Sequence, residues 1–164
     1  MKLSFTVYGH PEPQGSMRAF VPKGWVRPVV TSANPKMKPW RQQIARTAAE
    51  ELPRQNDGIC DPVPRDTPVF LRLDFYLGRP ASLPKKYQHA TKRPDWDKLC
   101  RAVCDSLTGS VITDDSQIVM AVTTKNYGVP ERVEIFLATL RDEFAKDPQV
   151  QRTLDLFATS PGRG

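Results

Sequence analysis

The sequence lacks any long hydrophobic run. No stretch of about 18 consecutive apolar residues occurs in the 164-residue chain, which argues against a membrane-spanning helix. Met1 leads directly into Lys2-Leu3-Ser4-Phe5 without the apolar segment of a signal peptide. We therefore expect a cytoplasmic protein that has no membrane partner.

Cysteine and histidine are also scarce. Three cysteines cannot all pair, and Cys100 and Cys104 lie one helical turn apart among apolar residues, which favours buried thiols. A zinc site needs a fourth ligand, but neither His10 nor His89 stands at a metal-ligand spacing. These shortages argue against a disulfide scaffold and against a zinc module.

Proline and positive charge, in contrast, are abundant. Sixteen prolines, about twice the usual share, stand mostly outside the periodic segments and predict long loops. The formal net charge of +6 lies in residues 1–50, which contain eight Lys and Arg against two acids, whereas the rest carries sixteen of each. This distribution suits a polyanionic partner such as nucleic acid, although a solvated basic face is the plainer alternative.

Hydrophobic patterning predicts a single domain that contains both strands and helices. Alternation and strand-forming residues predict strands over 3–8, 69–77, 116–125 and 132–140. The spacing of apolar residues predicts helices over 39–52 and 95–108. The last two strands flank a turn at 126–130 and are expected to form a hairpin, and a short edge strand is expected over 25–30.

Two acidic pairs are the strongest chemical signal. Asp95 and Asp97 lie at the start of the second predicted helix, and Asp114 and Asp115 lie just before the strand that follows it. Either pair alone is explained as a helix cap or a polar turn. A helix–turn–strand unit that returns on itself can bring the pairs together, and several carboxylates in one small space favour a counter-ion such as Mg²⁺.

Arg101 lies one helical turn from both Asp97 and Asp105. One interpretation is an ion-pair ladder along the helix, and the other is a cation directed at a phosphate under attack. A hard-metal site in a basic protein is typical of a phosphodiesterase, in which basic residues gather the nucleic-acid backbone.

Three segments resemble the signature of the RusA-type Holliday-junction resolvases. They are Arg93-Pro94-Asp95-Trp96-Asp97-Lys98-Leu99, Arg101-Ala102-Val103 with Asp105-Ser106-Leu107-Thr108-Gly109, and Asp114-Asp115-Ser116-Gln117-Ile118. The loop from Pro11 to Arg18 resembles the Pro- and Gly-rich loop of that family. We assign residues 1–140 to a RusA-like nuclease domain and residues 141–164 to a C-terminal extension with a short helix and a frayed tail.

The resemblance implies an α/β (α+β) fold, in which helices pack on a small mixed sheet. It implies a homodimeric endonuclease that resolves four-way DNA junctions by paired symmetric nicks, in DNA recombination and repair. It also implies Mg²⁺ as the cofactor, with Mn²⁺ as a substitute and no small-molecule cofactor. Such a protein is expected in the bacterial cytoplasm, encoded by a phage or prophage.

The resemblance also assigns roles to residues. Asp95, Asp97, Asp115 and Arg101 would be catalytic, and the metal ligands would be Asp95, Asp97, Asp114 and Asp115. The family usually has Asn where Lys98 stands and a catalytic Lys where Arg101 stands. Arginine keeps the positive charge but is not a proton donor near neutral pH, so we expect an electrostatic role for Arg101.

DNA contacts are expected from basic residues in the N-terminal third and in the long loop around Tyr87, which suits phosphate contact and base stacking. The expected contacts are Arg18, Lys23, Arg27, Lys85, Lys86, Lys92, Arg93 and Lys98. Two alternatives to a junction resolvase stay open. One is a non-catalytic nucleic-acid-binding protein on the same scaffold, and the other is a nuclease that acts on other branched DNA or on RNA.

Overall fold

The computed structural model describes residues 1–15, 17–32 and 34–140, so the predicted C-terminal helix and tail lie outside the described residues. Two helices are described, α1 (Met37–Gln55) and α2 (Trp96–Leu107), and a short 3₁₀ turn spans Asp115–Gln117. The strands are β1 (Lys2–Tyr8), β2 (Met17–Phe20), β3 (Val29–Ser32), β4 (Val69–Leu77), β5 (Ile118–Tyr127) and β6 (Arg132–Thr139).

Four of the strands form one mixed sheet in the order β1-β6-β4-β5. Strands β4 and β5 run parallel, whereas β6 pairs antiparallel with β1 on one side and with β4 on the other. Strands β2 and β3 form a separate antiparallel hairpin. The predicted α+β fold with a small mixed sheet is confirmed.

The predicted hairpin between the last two strands is wrong. Strands β5 and β6 do not pair, because β4 lies between them. The residues of β4 are almost all buried, on both faces of the sheet, as expected for a central strand rather than an edge strand. Strand β5 parallel to β4 requires a crossover connection, which α2 supplies.

The predicted edge strand over 25–30 is also displaced. The strand begins at Val29, which pairs with Phe20, so residues 21–28 form the loop of the β2–β3 hairpin. Pro28 has no N–H with which to extend the ladder toward the loop. Two of the apolar residues that suggested a strand lie in this loop and are exposed, Trp25 at 63% and Val26 at 98% of their full accessible surface.

Both helices cover one face of the sheet. Trp40, Ile44 and Leu52 of α1 and Leu99 and Val103 of α2 belong to one buried cluster with the inward residues of β1, β4 and β6. On the other face, the rings of Phe70 and Phe136 make an edge-to-face contact. Among the described residues, no helix is long and apolar enough to cross a membrane.

Candidate active site

The start of α2 places Asp95 and Asp97 as predicted. Asp95 is the N-cap residue, with extended backbone angles after a cis Arg93–Pro94 bond, and Asp97 lies in the first turn. The alternative interpretation, in which Asp95 caps the helix with its side chain, is wrong, because its carboxylate makes no capping hydrogen bond. Its Oδ2 instead accepts a hydrogen bond of 2.7 Å from Lys98 Nζ. This hydrogen bond lowers the pKa of Asp95 and raises the pKa of Lys98.

Asp114 has the structural role that was expected of a polar turn. Its Oδ1 accepts a hydrogen bond of 3.0 Å from the Ser116 N–H, and the Asp114 N–H donates to Gln117 Oε1 at 3.0 Å. These bonds form a capping box at the 3₁₀ turn. The hydrogen bond from Ser116 lowers the pKa of Asp114, and Arg65, at 3.7 Å, acts in the same direction.

The other two carboxylates of the signature differ from Asp95 and Asp114 in their interactions. Asp97 and Asp115 are exposed, and within the described ranges neither side chain makes a hydrogen bond or an ion pair. The four acids therefore fall into two groups. Asp95 and Asp114 are engaged with neighbouring groups, whereas Asp97 and Asp115 are available to a ligand.

Arg101 is exposed on α2 and makes no ion pair or hydrogen bond with the part of the chain that is described. Asp105 pairs instead with Arg41 of α1, with 3.3 Å between Nη1 and Oδ2. Arg41 also donates from Nη2 to the backbone oxygen of Asp105 at 2.9 Å. The ion-pair ladder along α2 is therefore wrong, and the Arg101 guanidinium remains available to an anion.

Two thiols lie on α2 near the available carboxylates. Burial raises the pKa of Cys104 to about 12, with further contributions from Cys100, Asp115 and Asp105. Burial also raises the pKa of Cys100, and the charge of Asp97 adds to the effect. Both side chains are partly buried and protonated at neutral pH, which fits the predicted buried thiols, whereas Cys60 is exposed.

The described acidic residues do not form a closed metal site. Among the described residues, no three His, Cys, Asp or Glu side chains are grouped closely enough to hold a metal ion together. Mg²⁺ needs less than that, because it is usually bound by one or two carboxylates and keeps several waters. Asp97 and Asp115 offer carboxylate oxygens that are exposed and unpaired, and the nearby thiols stay protonated. This donor set fits a hard cation.

A groove of about 620 Å³ lies beside Asp95. One wall is formed by His10 and residues 13–15, and the other by residues 93–95 and Lys98. The Gln14 N–H donates to the Lys98 backbone oxygen at 2.9 Å, which fixes the first loop against the start of α2. No sequence pattern predicts this wall, because His10 and Gln14 belong to no recognisable metal or nucleophile motif.

The sequence profile described as endodeoxyribonuclease RusA matches residues 11–138. The chain belongs to the RusA endodeoxyribonuclease family. It is also similar to the uncharacterized protein YqaN of Bacillus subtilis, at 29% identity over 140 residues that cover 82% of this chain and 94% of that protein. The RusA match includes both acidic pairs and Arg101, so the resemblance seen in the sequence is confirmed at the level of the family.

The RusA match also includes the loop between β4 and α2, which carries four of the expected DNA contacts. Its Lys85, Lys86, Lys92 and Arg93 side chains are exposed. Hydrogen bonds join this loop to Lys125 of β5. The Ala90 N–H donates to the backbone oxygen of Lys125, and Lys125 Nζ donates to the backbone oxygens of Lys92 and Pro94. These bonds give the basic loop a defined position, which an unanchored surface loop would not have.

The remaining expected contacts lie in the β2–β3 hairpin and at the start of α2. Lys23 and Arg27 are exposed in the hairpin loop, and Arg18 lies in β2. Lys98 is half-exposed and held by Asp95. Lys125 is not among the residues predicted from the sequence, although a lysine in an otherwise uncharged strand segment is a signal that could have identified it.

Proposed function

We propose that this RusA-family protein is a Mg²⁺-dependent endonuclease that resolves four-way DNA junctions by paired nicks. One observation carries the proposal: of the four acids in the family signature, Asp97 and Asp115 are exposed and have no partner among the described residues. Ionised carboxylates that have no hydrogen-bond or ion-pair partner are costly beside a nucleic-acid backbone unless a cation joins them.

The four acids and Arg101 have different roles in the proposed cleavage reaction. Asp97 and Asp115 would hold Mg²⁺, which when bound supplies charge neutralisation and a more acidic water. Asp95 and Asp114 would stabilise the segments that carry the metal ligands, through the hydrogen bonds that they accept from Lys98 and Ser116. The exposed guanidinium of Arg101 stabilises the charge that develops on the attacked phosphate.

The basic residues position the DNA. Lysines and arginines that contact phosphates fix the orientation of a duplex without reading its sequence, which suits an enzyme selective for branched structure. A four-way junction has approximate two-fold symmetry, so paired nicks require two sites at a fixed separation. We therefore propose a homodimer that acts in recombination and repair in the bacterial cytoplasm, and light scattering at micromolar concentration tests the dimer.

A panel of substrates tests the activity. Four-way junctions, flaps, forks, linear duplex and RNA are incubated with the protein in Mg²⁺, in Mn²⁺ and in chelator. We expect paired cuts in the junction with either metal and none in chelator. Preferential cutting of flaps, forks or RNA would replace the junction with another substrate, and no cutting of any substrate would contradict the nuclease assignment.

One observation favours a second candidate, a nucleic-acid-binding protein without catalysis. Lys98 stands where the family usually has Asn, and its ammonium group neutralises Asp95 directly. A lysine in this position can replace part of the charge that a cation would supply. Junction binding without cleavage in the substrate panel would identify this candidate.

A further inference from the structure

The His10 side chain is hydrogen-bonded to the carboxylate of Glu131, which lies 121 residues further along the chain. Its Nδ1 lies 2.9 Å from Oε1 of Glu131, and the Gly78 N–H donates to the same oxygen. Burial raises the pKa of Glu131, but the hydrogen bonds from His10 and Gly78 outweigh it and lower the pKa overall. An ionised carboxylate only accepts, so Nδ1 carries a proton in both the neutral and the cationic ring, and Nε2, which carries a second proton in the cationic ring, is the nitrogen that faces other groups.

The main chain fixes the position of this ring. The Gly9 N–H donates to the Glu131 backbone oxygen at 2.9 Å, so the residue before His10 is tied to the residue that holds its side chain. Gly9 has a φ of +130°, and a Cβ there would lie 3.2 Å from the Trp40 ring. A side chain at position 9 would therefore strain the backbone and press against Trp40, and it would shift the neighbouring His10 ring from its position.

His10 lines the same groove as Asp95 and Lys98, and its side chain is 51% exposed. The charged groups that border the groove are Arg93, Asp95 and Lys98, and Glu131 lies behind the ring. A histidine oriented by a carboxylate and open to a cleft is a common arrangement for proton transfer.

The chemistry of the site leaves such a role open. Cleavage of a phosphodiester expels a sugar oxygen, which leaves more readily when it takes up a proton. Arg101 cannot supply that proton near neutral pH, because a guanidinium does not deprotonate in this range. Histidine is the side chain whose ordinary pKa lies closest to neutral pH.

Building on the proposed nuclease function, we propose that His10, when both of its ring nitrogens are protonated, is a catalytic residue that donates the Nε2 proton to the leaving sugar oxygen of a DNA strand in this groove. A water oxygen forms a new bond to phosphorus while the bond from phosphorus to the bridging oxygen breaks. The electron pair of that bond stays on the bridging oxygen, which takes the proton from Nε2. The attacking water releases a proton to solvent, and His10 takes one up again from solvent.

The test uses two substrates and a matched control. One four-way junction has the natural scissile phosphate, and the other has sulfur in place of the bridging oxygen that leaves, at the position set by the ends that the wild-type protein produces. A thiolate leaves without protonation, so the sulfur substrate does not need a general acid. His89→Gln is the control, because His89 pairs with Asn126 Oδ1 at 2.7 Å and does not line the groove.

We expect His10→Gln to cleave the oxygen substrate about 10²-fold more slowly than wild type, and to cleave the sulfur substrate within about threefold of wild type. The alkaline fall of kcat/KM with pH should disappear for His10→Gln on the oxygen substrate, and Glu131→Gln should show a smaller loss with an altered pH profile. His89→Gln should match wild type on both substrates. Thermal denaturation and junction affinity show that the variants fold and bind.

Two results would overturn the assignment of His10. One is wild-type cleavage of the oxygen substrate by His10→Gln, and the other is an equal loss on both substrates, which is the behaviour expected of a residue that only binds phosphate. Asp97→Asn should lose cleavage of the oxygen substrate and of the sulfur substrate to the same extent. If wild-type protein cleaves neither substrate, the nuclease function itself fails, and that result is distinct from either of the first two.

Discussion

Lys98 Nζ donates a hydrogen bond of 2.7 Å to Asp95 Oδ2, across three residues at the start of α2. This contact ties up one of the acids in the family signature and leaves Asp97, in the same turn, without a partner among the described residues. The resemblance to the family signature leads us to expect Asn in place of Lys98, so this contact marks one of two departures from that signature, the other being Arg101 where a lysine is expected.

Replacing Lys98 tests what this contact does. Lys98→Asn removes the ammonium group that lowers the pKa of Asp95, so a second carboxylate becomes available beside Asp97. We expect half-maximal cleavage at a several-fold lower Mg²⁺ concentration, of the order that changes near metal ligands produce. A metal titration of cleavage measures this, and Lys38→Asn, an exposed lysine on α1, serves as the control. An unchanged or higher Mg²⁺ requirement would show that Lys98 does not compete with the ion.

Asp97→Asn and Asp115→Asn separate catalysis from binding. Each removes one negative charge next to a phosphate, so each should abolish Mg²⁺-dependent cleavage and leave junction affinity unchanged or stronger. The gain in affinity should be largest in chelator and should shrink at high salt, because screening weakens the repulsion. Asp61→Asn, at an exposed position in another loop, is the matched control. Normal cleavage by both variants with only a loss of thermal stability would reduce these acids to structural residues.

Arg101 should contribute through its charge. We expect Arg101→Ala to slow cleavage by about 10²-fold, the usual effect of losing one group that stabilises developing charge. Arg101→Lys should retain substantial activity or exceed wild type, because the family usually has lysine there. Single-turnover rates at saturating Mg²⁺ measure both. A wild-type rate for Arg101→Ala would remove Arg101 from the site.

Lys85 and Lys86 should contact DNA phosphates. Both are exposed in the β4–α2 loop, and the Lys86 ammonium lies 5.2 Å from the centre of the Tyr87 ring. Reversing both charges should weaken junction binding and reduce the slope of log affinity against log salt by about one per lost phosphate contact. Fluorescence anisotropy over a salt series measures the slope. An unchanged slope and affinity would place the DNA on another surface.

Asp114 should stabilise the fold in a pH-dependent way. Its pKa is lowered by hydrogen bonds from Ser116, so its contribution is present above the pKa of the unfolded chain and is lost as pH falls through the lower pKa of the folded chain. Asp114→Ala should therefore have a lower urea midpoint than wild type at pH 7, and the difference should shrink under acidic conditions. A difference that does not change with pH would assign the effect to packing alone.

The sequence predicted local features well and neighbours in space poorly. Helix α2 was predicted within a residue at each end, because its apolar stripe is regular and Gly109, with a φ of +80°, stands just past its end. The pairing of β5 could not be predicted in the same way. Its turn with β6 has hairpin residues, but the choice of β4 as neighbour depends on burial of the whole sheet.

The site shows the same division. The signature identified the four acids. Which of these acids form hydrogen bonds or ion pairs depends on neighbouring side chains that compete for the same partners. Asp105 could pair with Arg101 or Arg41, and the packing of α1 on α2 selects Arg41. His10 and Glu131 are 121 residues apart, and no local pattern connects a histidine in the first loop with a glutamate that precedes the last strand.

The pairing of β1 with β6 also sets the order of events during synthesis. Lys2 lies opposite Ala138, so β1 can pack against α1 early but waits for the last strand of the sheet before it gains a hydrogen-bonded strand neighbour. Strand β4 also needs β6 for one of its two edges. Long-range contacts of this kind close late and slow the folding of a domain. During translation the edges of β1 and β4 that pair with β6 therefore stay unpaired until β6 has been synthesised, and unpaired strand edges are open to association with other chains.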